Sequence, residues 1–471
     1  MKLSPLILSL FFACGLHAQT PELGPTELEL QRLIQDAGLY QGEIGFIAVN
    51  LDNGHGLAEY NSAKSFIPAS VQKLLTTATA VDRLGPDFQF KTDILVTGST
   101  TDGVLNGNVI VKSSGDPTLG SKYYSSSGEV LDNITESFNG IDRINGSLII
   151  DASHFSKYNT SRGWIWEDIG NYFGASSSSL TWKDNMLKVY LRTGQVGSRA
   201  QLASKPTGEF DFDIQVTAAD GGGDNAWFFG TPNNDKIYAQ GTIPAHQAKF
   251  LVKAAHPKPM DQFIADVSKA LGQRDINSRI AYDPVSASQA QTQVSLYSPP
   301  LSTIVKLTNQ KSINLYADAL VIELATSLTH KKLEEGIHHL EAFMMKAGVY
   351  SKGTRIMDGS GLSPLNRLTP QSVVDVLRYM YRSENKDVFL SSLAEAGTSG
   401  TLRSSFKNPK LTGKVKAKSG TMKGVRNYAG YVSNKYDETV AFCIMINDYD
   451  ESRKAEIMAK IEKLLIALVE D

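Results

Sequence analysis

Strand-forming alternation occurs at both ends of this chain, and that placement limits its fold more than any other feature. From Glu43 to Tyr60 apolar residues alternate around Asn53-Gly54, a hairpin signal, and Asn427 to Asn447 reads as two more strands joined near Asn434. Helical periodicity borders both pairs. Pro25-Thr-Glu-Leu-Glu-Leu-Gln-Arg-Leu-Ile reads as an N-terminal helix, and Glu451 to Val469 places Ile457, Ile461, Leu464, Leu465 and Leu468 on one helical face. That last helix is acidic at its close and lacks a basic polar face, so it is expected to pack on the sheet rather than lie on a membrane. The first and last segments therefore build one domain, with the remainder inserted into it. A chain of 471 residues with 41 % hydrophobic content is long enough for about three domains and a substantial core.

Ser70 and Lys73, in Ile-Pro-Ala-Ser-Val-Gln-Lys-Leu-Leu, are the first chemical signal. The run after Pro68 has helical apolar spacing (Val71, Leu74, Leu75, Ala78, Val81), so positions 70 and 73 share a face. A serine hydroxyl is a poor nucleophile until a base takes its proton, and an ordinary lysine is protonated at neutral pH. Burial, nearby cations or the positive end of a helix must therefore hold Lys73 deprotonated. The plain alternative is a helix-start serine beside a lysine that extends to solvent.

Two further short motifs follow. Lys311-Ser312-Ile313-Asn314 precedes a strongly helical stretch; Ser312 could relay a proton, and Asn314 could accept from Lys73 while donating to a substrate carbonyl. Standing alone, Ser312 would read as a helix N-cap. Lys418-Ser419-Gly420-Thr421 puts a cation and two hydroxyls on an expected strand edge, with Gly420 leaving room for a ligand backbone. Such an edge can bind an extended peptide by strand addition and hold its terminal carboxylate, or it can be an exposed basic edge that deters aggregation.

Each motif is weak alone, but in this order each supplies a different part of one acyl-transfer site. With them stand Ser113-Ser-Gly-Asp-Pro-Thr-Leu119, Asp184-Asn185, Gly223-Asp-Asn225, Met357-Asp-Gly-Ser-Gly-Leu-Ser363 and Gly400-Thr-Leu-Arg403. On these residues the chain resembles the low-molecular-mass class C penicillin-binding proteins, which are serine D-alanyl-D-alanine carboxypeptidases and endopeptidases. Two departures from the usual family pattern are Ser419, where threonine is commoner, and Asp318, where a glutamate often follows the Ser-x-Asn motif.

The resemblance implies an α+β fold: a penicillin-binding, serine β-lactamase-like domain, with an antiparallel sheet flanked by helices and a helical subdomain, interrupted by a large mostly-β insertion. Half the chain separates Ser70 from Ser312, which is the room such an insertion needs. The expected limits are 24–92 with 297–471 for the catalytic domain, 93–155 with 255–296 for the inserted domain, which contains Gly115-Asp-Pro, and 156–254 for one nested within it. Composition agrees for the middle: residues 95 to 290 are rich in Val, Ile, Gly, Asn and Ser in short alternating runs, with Asp220-Gly-Gly-Gly-Asp224 a turn rather than a phosphate loop. Trp164 and Trp166 could form a sugar platform, although core or interface packing is the commoner use of such residues.

Residues 1–18 have a basic start, a short apolar core and a small final residue, the pattern of a secretory signal peptide cut after Ala18; lipid attachment at Cys14 is disfavoured by the phenylalanines before it. Export to the periplasm is expected. Cys443 is then the only remaining thiol, which excludes an internal disulfide or cysteine metal cluster. A net charge of −2 offers no field for nucleic acid. There is no Gly-x-Ser-x-Gly elbow, and His338-His339 lies on a charged helix, Lys331 to Lys346, without metal-ligand spacing, so no metal or cofactor is expected.

The function implied is cleavage of peptidoglycan stem peptides ending in D-Ala-D-Ala, and of cross-links, through an acyl-enzyme on Ser70, with β-lactams as inhibitors. Lys73 would be the base, Ser312 the relay and Asn314 a substrate contact. Lys418, Ser419 and Thr421 would surround the carboxylate, and the Ser70 and Thr421 N–H groups would hold the oxyanion. A β-lactamase and an inactive peptidoglycan-binding protein are the alternatives; against the first, no Glu-x-x-Leu-Asn segment follows Ser312. The sequence leaves the oligomeric state open.

Overall fold

The computed structural model describes residues 23–35, 42–273, 276–349 and 351–471. The expected signal peptide, with Cys14, lies outside them.

The two ends of the chain meet in one six-stranded antiparallel sheet. Its strands run, in spatial order, Ala394–Glu395, Val415–Met422, Val425–Ser433, Thr439–Asn447, Glu43–Asn50 and Gly56–Tyr60. The N-terminal strand lies inside the sheet rather than at its edge, so its alternation is masked. Ile44, Phe46 and Ala48 face one apolar core, and Ile47 and Val49 face another, which leaves every residue after Glu43 buried.

One sheet face is covered by the two terminal helices, Pro25–Ile34 and Lys454–Glu470, whose Leu30, Ile461 and Leu465 pack with Phe46 and Phe442. As the residue pattern predicts, the last helix spends its apolar face on the sheet. Against the opposite face lie Lys73–Leu84, Leu301–Lys311, Asn314–Glu323, Leu333–Lys346 and Pro370–Arg382. Asn314–Glu323 is apolar on all sides, and Leu315 to Ile322 are all buried, as expected of a helix surrounded by others.

Between residues 91 and 297 the chain leaves this domain. A five-stranded sheet orders Asn277–Ala281, Ser147–Asp151, Val109–Lys112, Lys91–Val96 and Gln291–Tyr297, and the helices Ser127–Ser137 and Pro259–Ala270 cover it through Val130, Ile134, Phe263 and Val267. Within that span, Met186–Arg192, Gln201–Ser204 and Phe250–Ala255 make a three-stranded sheet, and a second sheet forms around Lys236–Pro244; both share a core of Leu187, Val189, Phe228, Ile243 and Val252. Residues 220–224 form the turn between strands that the glycine run suggests.

Candidate active site

Ser70 lies in a 3-10 turn, Ala69–Gln72, that runs directly into the helix Lys73–Leu84. Ala69 has φ 45, a left-handed conformation that costs energy for a residue with a Cβ and needs support from its surroundings. The sheet supplies it. Asn427 Nδ2 donates to the carbonyls of Ile67 (2.8 Å) and Pro68 (2.9 Å), and Asn447 Oδ1 accepts from the Ile67 N–H at 2.7 Å. Gly420 completes the contact: a Cβ there would lie 2.6 Å from Pro68 O and 3.0 Å from Val71 N. Its missing side chain thus admits the chain's own turn, rather than serving only the approach of a ligand backbone.

Lys73 is fully buried, with 0 % exposure. Its Nζ lies 3.0 Å from Ser70 Oγ and 2.6 Å from each of two acceptors, Asn314 Oδ1 and Ser360 O. Burial lowers its pKa to about 8, against an upward pull from Asp318 and Asp358. Asp318 is itself pushed up to about 8 by burial and by Asp358. Its Oδ1 accepts from the N–H groups of Gly359 (2.8 Å) and Ser360 (3.1 Å), while its buried Oδ2 has no hydrogen-bond partner.

The loop carrying Ser360 takes part in the site although its residue pattern alone suggests no chemical role. The Asp358 carboxylate organises it, accepting from the Gly361 N–H and the Ser363 N–H at 2.7 Å each, from Asn366 Nδ2 at 2.9 Å and from Trp164 Nε1 at 2.8 Å. Trp164 is therefore a buried strut between the inserted region and this loop. Trp166 is 58 % exposed and rests on the Phe229 ring. The two tryptophans face different surroundings and make no common platform.

Ser312 ends the helix Leu301–Lys311 in a left-handed conformation (φ 59), so it is a C-cap position and not an N-cap, and Asn314 opens the next helix. Asn314 accepts from Lys73 as expected, and its Nδ2 donates to Phe173 O at 2.9 Å through one of its two N–H bonds. Ser312 Oγ accepts from Lys418 Nζ at 3.0 Å, and Lys418 also donates to Ser419 O. Lys418 is fully buried; burial lowers its pKa, and nearby Lys73 adds to the effect.

Strand alternation divides the third motif. Lys418 and Gly420 lie on the face toward Ser70, whereas Ser419 and Thr421 stand opposite Tyr428 and Arg426 on the other. Lys418 therefore does not share one cradle with the two hydroxyls, as the linear motif suggested. Ser419 Oγ donates to Thr401 Oγ1 at 2.8 Å, and Thr421 Oγ1 accepts from Arg426 Nη1 at 2.9 Å. Ala394–Glu395 pairs only with Ala417 and Lys416, so among the described residues no strand covers the edge from Lys418 to Met422 on that side.

Ser70, Lys73 and Asn314 thus share contacts with Ser360, Asp318 and Phe173, Ser312 meets Lys418, and Gly420 packs on the Ser70 turn, while Ser419 and Thr421 stand on the other face of the strand with Thr401 and Arg426. Asp318, Asp358, Ser360 and Thr401 stand in stretches the sequence singles out without a role for them, and Phe173 and Arg426 leave no such trace; the chemistry of Ser360 lies in its main-chain carbonyl. Among the described residues, no group of three or more His, Cys, Asp or Glu could hold a metal ion, and no helix is long and apolar enough to cross a membrane. Cys443 is buried in its strand, and burial raises its thiol pKa.

A family model described as the D-Ala-D-Ala carboxypeptidase 3 (S13) family matches residues 26–468. D-alanyl-D-alanine carboxypeptidase DacB of Haemophilus influenzae is 30 % identical over 427 residues, covering 86 % of this chain and 85 % of the relative. The crystal structure of penicillin binding protein 4 (dacB) from Haemophilus influenzae superposes with TM-score 0.80 at 27 % identity, over 94 % of this chain and 99 % of that one. The same protein complexed with a β-lactam gives TM-score 0.77 at 25 % identity, over 94 % and 100 %.

Proposed function

The chain belongs to the D-Ala-D-Ala carboxypeptidase 3 (S13) family, and from that premise we propose that it is a serine D-alanyl-D-alanine carboxypeptidase and DD-endopeptidase that cleaves peptidoglycan stem peptides through an acyl-enzyme on Ser70. The observation that carries the assignment of Ser70 and Lys73 is the set of atoms around Lys73 Nζ. Asn314 Oδ1 and Ser360 O can only accept hydrogen bonds. An uncharged amine has two N–H bonds and one lone pair; with both N–H bonds spent on those oxygens, the lone pair is left for the hydroxyl of Ser70, 3.0 Å away. A pKa near 8 makes that uncharged form accessible at working pH.

The substrate strand adds to the open edge at Lys418–Met422 with its C-terminal carboxylate toward Ser419 and Thr421. Lys73 removes the proton of Ser70, whose oxygen attacks the penultimate carbonyl, and the N–H groups of Ser70 and Thr421 receive the oxyanion. Ser312, whose oxygen accepts from Lys418, keeps its own proton available for the departing amine. Water then hydrolyses the ester. A cross-link whose scissile bond follows D-alanine is cut by the same steps, which is the endopeptidase activity. A β-lactam acylates Ser70 and acts as an inhibitor, in keeping with the relative crystallised with one.

The leader-like residues 1–18 support export to the periplasm, where this substrate resides. The separate apolar cores support a division into three parts expected at 24–92 with 297–471, 93–155 with 255–296, and 156–254, with Phe155 packing in the core of the first part and Leu180 and Trp182 in that of the second. The direct test is Ser70→Ala assayed for D-alanine release from a D-alanyl-D-alanine peptide and for labelling by penicillin. Both should be lost while the fold, followed by circular dichroism, is kept; a variant that retains either activity overturns the assignment of the nucleophile.

A further inference from the structure

Arg426 is a cation beside the third motif that the reaction steps leave unused. It stands directly opposite Thr421 in register, on the face that carries both hydroxyls of the third motif. Its Nη1 donates to Thr421 Oγ1 at 2.9 Å, its Nη2 lies 3.4 Å from the Tyr449 hydroxyl, and its Nε is buried with no partner. The groups that act on its charge are Tyr449 and Tyr428, and no acid among the described residues forms an ion pair with it.

A half-buried guanidinium held only by hydroxyl groups is expensive unless something anionic completes it, because its five donors form a planar fork suited to a carboxylate. The neighbours define where that anion would sit. Thr401, Ser419 and Thr421 place their hydroxyls along the same end of the strand, and the edge from Lys418 to Met422 is open to an added peptide. Lys418 does not serve this position, since it points to the other face and is occupied by Ser312 and its own strand.

We propose that Arg426 is a specificity-determining residue that binds the carboxylate of the leaving D-amino acid beside Thr421, and so sets the preference for substrates with a free carboxylate over capped ones. This rests on the carboxypeptidase reading given above and assigns its carboxylate contact. It also bears on cross-links: a leaving residue whose carboxylate is free would be cut well, and one that is amidated would be cut poorly.

The test uses the full-length protein and two N-acetylated peptides ending in D-alanyl-D-alanine, one a free acid and one a C-terminal carboxamide. The unsubstituted enzyme should favour the free acid in kcat/KM. In Arg426→Gln that preference should fall about 100-fold, mainly through KM, the scale expected when a partly buried charge-assisted pair is lost. Arg426→Lys, which keeps the charge without the fork, should fall between the two. Turnover of the carboxamide by the same preparations shows that each variant is folded. A preference unchanged in Arg426→Gln, or a parallel loss on both peptides, overturns the role of Arg426 and leaves the carboxypeptidase reading standing. Failure of the unsubstituted enzyme to release D-alanine from the free acid and D-alaninamide from the carboxamide overturns that reading, and with it this inference.

Discussion

Lys73 and Lys418 are both fully buried, and burial disfavours the charge of each, yet they sit among opposite kinds of neighbour. On the helix side, Lys73 meets two pure acceptors and the Ser70 hydroxyl, with Asp318 and Asp358 close enough to favour its protonated form. On the strand side, Lys418 has Ser312 Oγ and a main-chain carbonyl, and the nearest charge acting on it is Lys73 itself. Desolvation alone therefore does not decide what a buried lysine can do. Acids poise Lys73 near 8, where it can gain and lose a proton in turn, whereas Lys418 is placed to orient the serine that returns the proton.

If that distinction is right, the two lysines should not be equivalent to mutation. Lys73→Met should reduce the rate of acylation by penicillin roughly ten-thousand-fold, because the attacking hydroxyl loses its only base. Lys418→Met should reduce it by roughly a hundredfold, the usual size of one orienting or relaying contact. Stopped-flow acylation kinetics of both variants would measure this. Equal losses would merge the two roles and remove the comparison.

The strand side also supports the nucleophile from behind, through Gly420. A methyl group at that position meets Pro68 O at 2.6 Å and Val71 N at 3.0 Å, both main-chain atoms of the turn that holds Ser70. Gly420→Ala should lower stability by about 1–3 kcal/mol in urea denaturation and slow acylation as well, since backbone must shift to admit the methyl. Gly56→Ala, on the outer strand of the same sheet with nothing within 4 Å of its added carbon, is the matched control and should change neither measurement appreciably. A neutral Gly420→Ala would mean that the turn is not set by this contact.

How much of this was legible in the sequence differs between the two sides for physical reasons. Ser70 and Lys73 are one helical turn apart, so local periodicity alone brings them together. The helix at 314–323, the two strands within 427–447 and the terminal helix are equally local, and they stand where the residue pattern puts them. The order Ser-x-x-Lys, Ser-x-Asn, Lys-Ser-Gly pointed to one site because each motif is short and local: a turn running into its helix, the junction of two helices, and one strand. What could not be read depends on contacts made across the sequence. Ser360 acts through a carbonyl, which leaves no side-chain signature, and Phe173 reaches Asn314 from the inserted region in the same way. The division of Lys418 from Ser419 and Thr421 follows from the strand's pleat, and only the sheet order reveals which face meets Ser70. Trp164 and Trp166 make the same point, since a single residue in sequence separates a buried strut from an exposed ring.

The finest test concerns the acids that distinguish the helix side. Burial lowers the pKa of Lys73 from its ordinary 10.5, and with the upward pull of Asp318 and Asp358 the net value is about 8. Asp318→Asn keeps an oxygen to accept from Gly359 and Ser360 but removes that charge. Lys73 should then fall further below 8, and because the base works only when deprotonated, the acidic limb of the kcat/KM profile should move to lower pH. The variant would retain a larger share of its plateau activity near pH 6 to 7 than the unsubstituted enzyme does. Because Lys73 and Asp318 titrate together, the limb reports the pair rather than either group, so its displacement is the quantity to compare. The profile should be taken with a peptide substrate whose own groups do not titrate in that range. A limb that stays where it was, or moves to higher pH, would mean that Asp318 does not poise Lys73 and would leave burial as the sole feature the two lysines share.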